Sequence, residues 1–515
     1  MMKGYKLFIF IIVALLPVLI LRDYTPGNEL RYLSIVDEAM KNGTFFTFYN
    51  QGVIYADKPP LYFWLIMLSK YLLGGHYMWF LSLFSLIPAF VITKVMDKWI
   101  AGDVNETSRL TGIWMMMSCG LFTGMAVVLR MDMLMCMFIT LSLYTFYKMV
   151  RREGNLRKLS YLFPIYIFFA VFSKGPVGIL IPLIATIVFL LITGRIRNIG
   201  RYWGWKTWGV LLAGCILWFG AVYLEGGNAY LDNLLFHQTI DRAVNSFHHE
   251  EPFYYYFISI WYSLFPWTFL LIGGIVVALC KKMPRTELQT FFLTIIVVTF
   301  VMLSLISSKI AVYMLPAFPF FVYLPVTYLP KFRWNRWLAL SIAVPALVFC
   351  CALPAFIVIA QMEETQYLGT ALFYAAAGVL TLTGCIAFFF LYKRKETENA
   401  IRSIACGLFC AVFVGGWSLP SINGEIGYRE LCTQSMEFAQ KHNLTEYHVW
   451  KIRRPESMDV YLKQSIQITT PEELAASGKH GIAFMVPNKK LKELPPAFMD
   501  MEKQTIGKYT VFAIK

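Results

Sequence analysis

The sequence predicts an α-helical polytopic membrane protein of about thirteen transmembrane helices, followed by a small C-terminal α/β soluble domain. Three observations predict it. Apolar runs of roughly 20 residues, the length that crosses a bilayer, recur from Tyr5 to about Trp417. Of 515 residues, 58% are hydrophobic and only 15% charged, where a soluble chain carries about 25% charged residues. From about Ser418 onward the composition turns to that of a soluble domain. The chain is therefore read as a membrane domain, residues 1–419, and a C-terminal domain, residues 420–515.

The first segment, Tyr5 to Leu21, follows Lys3 and Lys6 and lacks a convincing small-residue cleavage site, so it is expected to be a retained span. Residues 22–77 then form one long loop with interfacial helices. Within it, Pro60 to Leu73 is apolar but only about 14 residues long, which suits an interfacial or re-entrant segment. Further spans are expected at 78–95, 109–128, 132–149, 159–173, 176–193, 207–224, 257–280, 289–307, 310–329, 338–360, 367–391 and 403–419.

The net charge of +15 points to membrane orientation. Short loops holding Lys148/Arg151/Arg152/Arg157/Lys158, Arg195/Arg197/Arg201/Lys206, Lys281/Lys282/Arg285, Lys331/Arg333/Arg336 and Lys393/Arg394/Lys395 are all basic. They fall on one side if 22–77 does not cross. Lys and Arg loops stay cytoplasmic, so the N-terminus is expected inside, and the 22–77 loop and the tail outside. Nine of the ten cysteines lie inside apolar runs, and only Cys432 is in the polar tail. They read as buried apolar residues, with no disulfide framework in the tail.

The tail reads as a helix at Ile426–His442, strands at Tyr447–Ile452, Ile466–Thr469 and Ile482–Val486, and a possible last strand at Val511–Ile514. Thr470-Pro471-Glu472-Glu473 is a helix start. About ninety-five residues suffice for a small domain.

With orientation set, the non-loop charges gather on the external side. Glu29, Arg31, Asp57 and Lys58 lie in the first external loop. Arg130 and Asp132 open a span, and Lys174 sits in the turn Ser173-Lys174-Gly175-Pro176. His237, Arg242, His248, His249, Glu250 and Glu251 precede Pro252-Phe253-Tyr254-Tyr255-Tyr256, and Lys309 and Tyr313 mark a further corner. Charges at a lipid boundary are costly to keep and mark function. No nucleotide sugar is available on that face, so a transferase working there needs a membrane-borne activated donor. A polyprenyl-phosphate sugar meets that need: Lys and Arg stabilise the departing phosphate, and an acidic residue orients or deprotonates the acceptor.

As a set, Asn28-Glu29-Leu30-Arg31-Tyr32, Asp57-Lys58-Pro59-Pro60, Asp132 at a span start, Ser173-Lys174-Gly175, His249-Glu250-Glu251-Pro252-Phe253 with Pro266-Trp267, and Ser308-Lys309 with Tyr313 and Leu315-Pro316 resemble one superfamily. It is the lipid-linked glycosyltransferases of the GT-C fold, nearest the aminoarabinose transferase and protein O-mannosyltransferase branch. The resemblance covers roughly residues 5–330. It implies an inverting transfer from a polyprenyl-phosphate sugar to a lipid A, glycolipid or glycan acceptor, at the external (periplasmic) face of a bacterial inner membrane. It implies catalytic roles for Glu29, Asp132 and the Asn28 position. Lys58, Arg31 and Arg130 are implied at the donor phosphate, with Lys174, Arg242, Lys309 and Tyr313 as further phosphate or sugar contacts. Asp57 with His249 suggests a divalent metal, as in some relatives, against the plainer reading of an Asp–His hydrogen bond. No other cofactor is implied, and a monomer among membrane lipids is expected.

One departure bears on the acceptor. The family usually shows Asp-Glu where this chain has Asn28-Glu29, and an amide takes no proton in this pH range. Either Glu29 serves as base or the acceptor needs none. A phosphate acceptor is already ionised, which tips the reading toward a phosphorylated or glycolipid acceptor over a Ser/Thr hydroxyl on protein. The rivals are a protein O-glycosyltransferase of the same fold, a lipid-linked sugar flippase, and a non-catalytic envelope protein. Transporters tend to show internal repeats and midplane charges, whereas here the charges sit at span ends. No Gly-rich phosphate loop or nucleic-acid signature is present.

Overall fold

The computed structural model describes residues 4–235, 250–332 and 334–515. Helices dominate as far as Ile426: α1 Gly4–Leu21, α2 Glu29–Asn42, α3 Leu61–Leu73, α4 Met78–Trp99, α5 Glu106–Met117, α6 Gly120–Val127, α7 Asp132–Val150, α8 Leu156–Lys174 and α9 Val177–Ile192 come first. Those that follow include Trp205–Asp232, Glu287–Leu305, Ala371–Phe388 and Thr397–Gly416. A hairpin of β1 Tyr49–Asn50 and β2 Val53–Ile54 interrupts the first loop.

This is a multi-span membrane protein. Among the described residues 8 helices are long and apolar enough to cross a bilayer, or up to 10 if each of two bent pairs is one span. The bent pairs are α5 with α6, at 64°, and Arg336–Cys350 with Ala352–Ile359, at 42°. The expectation of about thirteen also counted 5–21, 176–193 and 257–280. The first two are shorter apolar helices. The third is broken into Tyr255–Ser263 and Thr268–Cys280, around a segment holding Pro266, which lacks an N–H for the helical ladder. Pro60–Leu73 likewise forms only the 13-residue α3.

The described residues group into two compact units. The bundle unit holds residues up to Leu16, Ala56–Tyr62 and Ser82–Gly415; the sheet unit holds Pro17–Tyr55, Phe63–Leu81 and Gly416–Lys515. Within the bundle unit, Ala311–Lys331 is 89% buried while Trp205–Leu235 is 22% buried, so the first is a central element and the second presents apolar side chains outward, as a lipid-facing helix does. The turn from α8 to α9 requires glycine twice. Gly175 takes φ +113°, and a Cβ on Gly178 would lie 2.4 Å from the Ala170 carbonyl carbon.

The sheet unit ends in a five-stranded sheet of β3 Glu446–Val449, β4 Gln467–Ile468, β5 Ile482–Pro487, β6 Lys503–Ile506 and β7 Tyr509–Ile514, in the order β4-β3-β5-β7-β6. β3 runs parallel to both β4 and β5, and β7 antiparallel to both β5 and β6. Leu474, Ile482, Phe484, Val486, Phe498 and Phe512 form its core. The helix expected at 426–442 starts at Arg429 instead, because Gly427 closes a separate helix, Leu419–Ile426. Thr470 caps Pro471–Ser477 with a reciprocal Thr470–Glu473 capping box, as its sequence demands. Strand β6 was not expected. Its four residues are Lys503-Gln504-Thr505-Ile506, mostly polar and exposed, and such an edge strand leaves almost no apolar alternation to read.

Candidate active site

Two groups of the expected residues come together, one in each unit.

In the bundle unit, Asp132 opens α7, where a carboxylate suits the positive end of the helix dipole. It is wholly buried. Arg130 Nε donates to Asp132 Oδ2 at 2.9 Å, and Lys174, the last residue of α8, donates to Oδ1. The Lys174 ammonium also lies 4.4 Å from the centroid of the Tyr313 ring, a cation–π distance. Among the described residues, two cations thus share the one Asp132 carboxylate. Lys309, only 4% exposed, donates to the carbonyls of Glu251 at 2.8 Å and Ser307 at 3.4 Å. It ties these two segments together beside the Glu250–Ser308 bridge. Asp57 and Lys58 are half-buried on the turn leading into α3.

In the sheet unit, Glu29 is also wholly buried. Arg22 grips it with two bonds, Nη1 to Oε2 at 2.6 Å and Nη2 to Oε1 at 2.7 Å. Thr25 adds two more to Oε2 at 2.8 Å each, from its backbone N–H and its hydroxyl. Four charge-assisted bonds on one carboxylate make a clamp; they fold segment 22–28 back onto the start of α2, with the Leu30 N–H donating to the Thr25 carbonyl at 3.1 Å. Asn28 precedes α2 as its N-cap residue but does not cap it with its side chain. Its Oδ1 accepts instead from Arg31 Nη2 at 3.2 Å, and Arg31 lies over the Tyr55 ring at 5.3 Å.

Asp23, 1% exposed, anchors the same segment. Its carboxylate accepts from the Arg429 N–H at 3.0 Å and the Tyr461 hydroxyl at 2.6 Å, and its own N–H donates to Asn423 at 3.0 Å. Asp459 accepts from Ser34 at 2.8 Å. Burial pushes its carboxyl up to about 6, with Asp37 and Glu38 adding to the rise and the Ser34 bond opposing it.

Arg242 and His249 lie outside the described residues, and so does any pairing of Asp57 with His249. Among the described residues, no group of three or more His, Cys, Asp or Glu side chains is arranged to hold a metal. Sequence reasoning missed Arg22, Asp23 and Asp459. For the first two a signal existed: an Arg-Asp pair ends an apolar run, with Glu29 seven residues after the arginine. For Asp459 there was none, because its partner Ser34 lies 425 residues away.

No family model matches the chain. An uncharacterized protein of Aquifex aeolicus is 26% identical over 459 residues, 87% of this chain and 85% of its own length. The undecaprenyl phosphate-alpha-4-amino-4-deoxy-L-arabinose arabinosyl transferase of Pectobacterium atrosepticum is 24% identical over 416 residues, 76% of this chain and 72% of that protein. Among solved structures, ArnT from Cupriavidus metallidurans bound to undecaprenyl phosphate superposes with a TM-score of 0.78 at 17% identity, covering 99% of this chain and 98% of that one. In its apo state the TM-score is 0.79, with 99% and 97% covered. A likeness that covers nearly the whole of both chains shows that this chain is a multi-span membrane protein with the fold of those ArnT structures.

Proposed function

We propose that this chain is an integral-membrane glycosyltransferase. It moves a sugar from a polyprenyl-phosphate donor to an envelope acceptor, lipid A or another glycolipid or glycan, with inversion at the anomeric carbon. The observation that carries the reading is the buried Asp132 carboxylate bonded by Arg130 and Lys174, in a chain similar to an undecaprenyl phosphate-alpha-4-amino-4-deoxy-L-arabinose arabinosyl transferase and to an ArnT structure bound to undecaprenyl phosphate.

The chemistry needs little beyond charge placement. The acceptor oxygen attacks the anomeric carbon from the face opposite the leaving group. The bond from that carbon to the phosphate oxygen breaks, and polyprenyl phosphate departs with one more negative charge. Arg130 and Lys174 answer that charge as preplaced donors, and Asp132 holds both in position. Lys58 and Arg31 are assigned to the donor phosphate as well, and Lys309 to fixing the corner that carries Tyr313. Glu29, with both oxygens engaged, is assigned to holding the first loop. Asn28 cannot act as a base, which favours an acceptor that arrives ionised, such as a phosphate.

The positive-inside rule supports an N-terminus and basic loops in the cytoplasm of a bacterial inner membrane, with residues 22–77 and the domain 420–515 outside. Reporter fusions at Lys395 and Lys515 are expected to give opposite signals, and matching signals would remove the external site. The decisive assay incubates the purified chain with a labelled polyprenyl-phosphate sugar and extracted envelope lipids. Label is expected in the lipid fraction; label on protein alone would make the chain a protein O-glycosyltransferase instead.

A further inference from the structure

The sheet unit contains a cavity of about 440 Å³ beside Asn28. The loop Thr25–Asn28 forms one wall, and Tyr428, Arg453, Lys508 and Tyr509 line the remainder with Ile426. We infer that this cavity is a recognition subsite for the acceptor, reading an anionic phosphoryl group on a saccharide headgroup through Arg453 and Lys508. The inference rests on the transferase reading above and adds where, and by which residues, the acceptor is held.

The lining dictates the ligand's chemistry. Arg453 is exposed and makes no ion pair among the described residues. Lys508 donates to the Glu425 carbonyl, and the Glu425 carboxylate, 3.7 Å away, offsets only part of its charge in so exposed a pair. Asn28 Oδ1 is turned to Arg31, so its NH2 is the group left for a ligand. An Asp there would offer lone pairs only; this amide offers N–H. The cavity thus presents donors and positive charge, which select a ligand rich in acceptor oxygens and negative charge. Tyr428 and Tyr509, buried and edge-to-face with centroids 6.0 Å apart, add the flat apolar wall that a sugar ring packs against.

The walls are fixed before any ligand arrives. The Tyr428 hydroxyl donates to the Arg453 carbonyl at 2.5 Å, the Glu29 clamp sets the Thr25–Asn28 loop, and Asp23 ties that loop's approach to Asn423, Arg429 and Tyr461. Lys508 and Tyr509 come from the tight β6–β7 turn, where Gly507 takes φ +54°. Preorganised donors of this kind lower the cost of ordering on binding.

The test uses the full-length protein in detergent, with two independent readouts. The first is direct binding of a hexose 1-phosphate probe, compared with the same hexose lacking phosphate. The second is the transfer assay with the acceptor lipid as extracted and after phosphatase treatment. The double variant Arg453→Ala/Lys508→Ala is expected to weaken probe binding about 10-fold or more, as expected for the loss of charged hydrogen bonds. It should raise the acceptor KM by a similar factor with the donor KM unchanged. Lys508→Arg should bind the probe nearly as wild type does, and Lys479→Ala, on an exposed loop of the same sheet domain, should change neither readout. Equal probe binding by wild type and double variant would overturn the subsite, as would a change confined to the donor KM. Probe binding that depends on Arg453 and Lys508 without any transfer by the wild type would instead count against the transferase reading alone.

Discussion

Asp132 and Glu29 are both carboxylates with no exposed surface, each at the start of a helix and each bonded to arginine. Burial and ion pairing therefore do not separate them; the company each keeps does. Glu29 is saturated by near neighbours in the chain, Arg22 seven residues before it and Thr25 four before. These bonds shape a loop. Asp132 takes one cation from two residues away and another from α8, 42 residues on, so it joins segments far apart in the chain.

The sharpest way to break this comparison is to neutralise each carboxylate in turn. Asp132→Asn is expected to lower sugar transfer by roughly 100-fold or more, the scale of a positioned charge or acid–base group, in protein that still purifies as a folded species. Glu29→Gln should do the reverse. It strands the buried Arg22 charge and costs about 3–5 kcal/mol of stability, the usual result of removing one partner of a buried pair, while the fraction that folds keeps much of its turnover. Thermal melting and transfer rates on the same preparations decide it. Full transfer by Asp132→Asn, or turnover lost without destabilisation in Glu29→Gln, would exchange the two roles.

Next in size is a pH effect confined to the sheet unit. The Asp459 carboxyl is pushed up to about 6 from an ordinary 3.8, chiefly by burial. The folded state therefore holds this proton more tightly than the unfolded chain. The stability it contributes is complete below about pH 4 and is lost as pH rises through about 6. Asp459→Asn should raise the melting temperature at pH 8, by at most about 2–3 kcal/mol in free-energy terms, and leave it nearly unchanged at pH 4. A variant that melts below wild type at pH 8 would show that the ionised carboxylate is the stabilising form.

The smallest effect belongs to Asn28. Asn28→Asp places a charge near an anionic acceptor, where like charges about 4 Å apart repel by about 4 kcal/mol at an effective dielectric near 20. Arg31, already bonded to that side chain, will absorb most of it. The expected outcome is a few-fold loss of transfer to a phosphorylated acceptor. A gain would point to a hydroxyl acceptor that needs a base.

Much of the architecture follows from patterns that are local in the chain. Apolar length sets the helices, Gly175-Pro176 sets the α8–α9 turn, and Thr470 with Glu473 sets a helix start. Each signal lies within one turn or one span, where the physics of backbone and side chain is short-ranged. Asp132, Arg130 and Lys174 were legible as separate charges at span ends, because a charge beside an apolar run has few cheap explanations. Their joining was not, since the Lys174–Asp132 bond depends on how α7 and α8 pack. Likewise, the family resemblance implied a catalytic role for Glu29, and only the fold showed both its oxygens engaged by Arg22 and Thr25. Arg453 and Lys508 read as ordinary surface charges more than 400 residues beyond Asn28. The chain path that brings them to one cavity is set by strand pairing and by the Asp23 anchor, and such long-range contacts leave no period, motif or spacing in the sequence by which to find them.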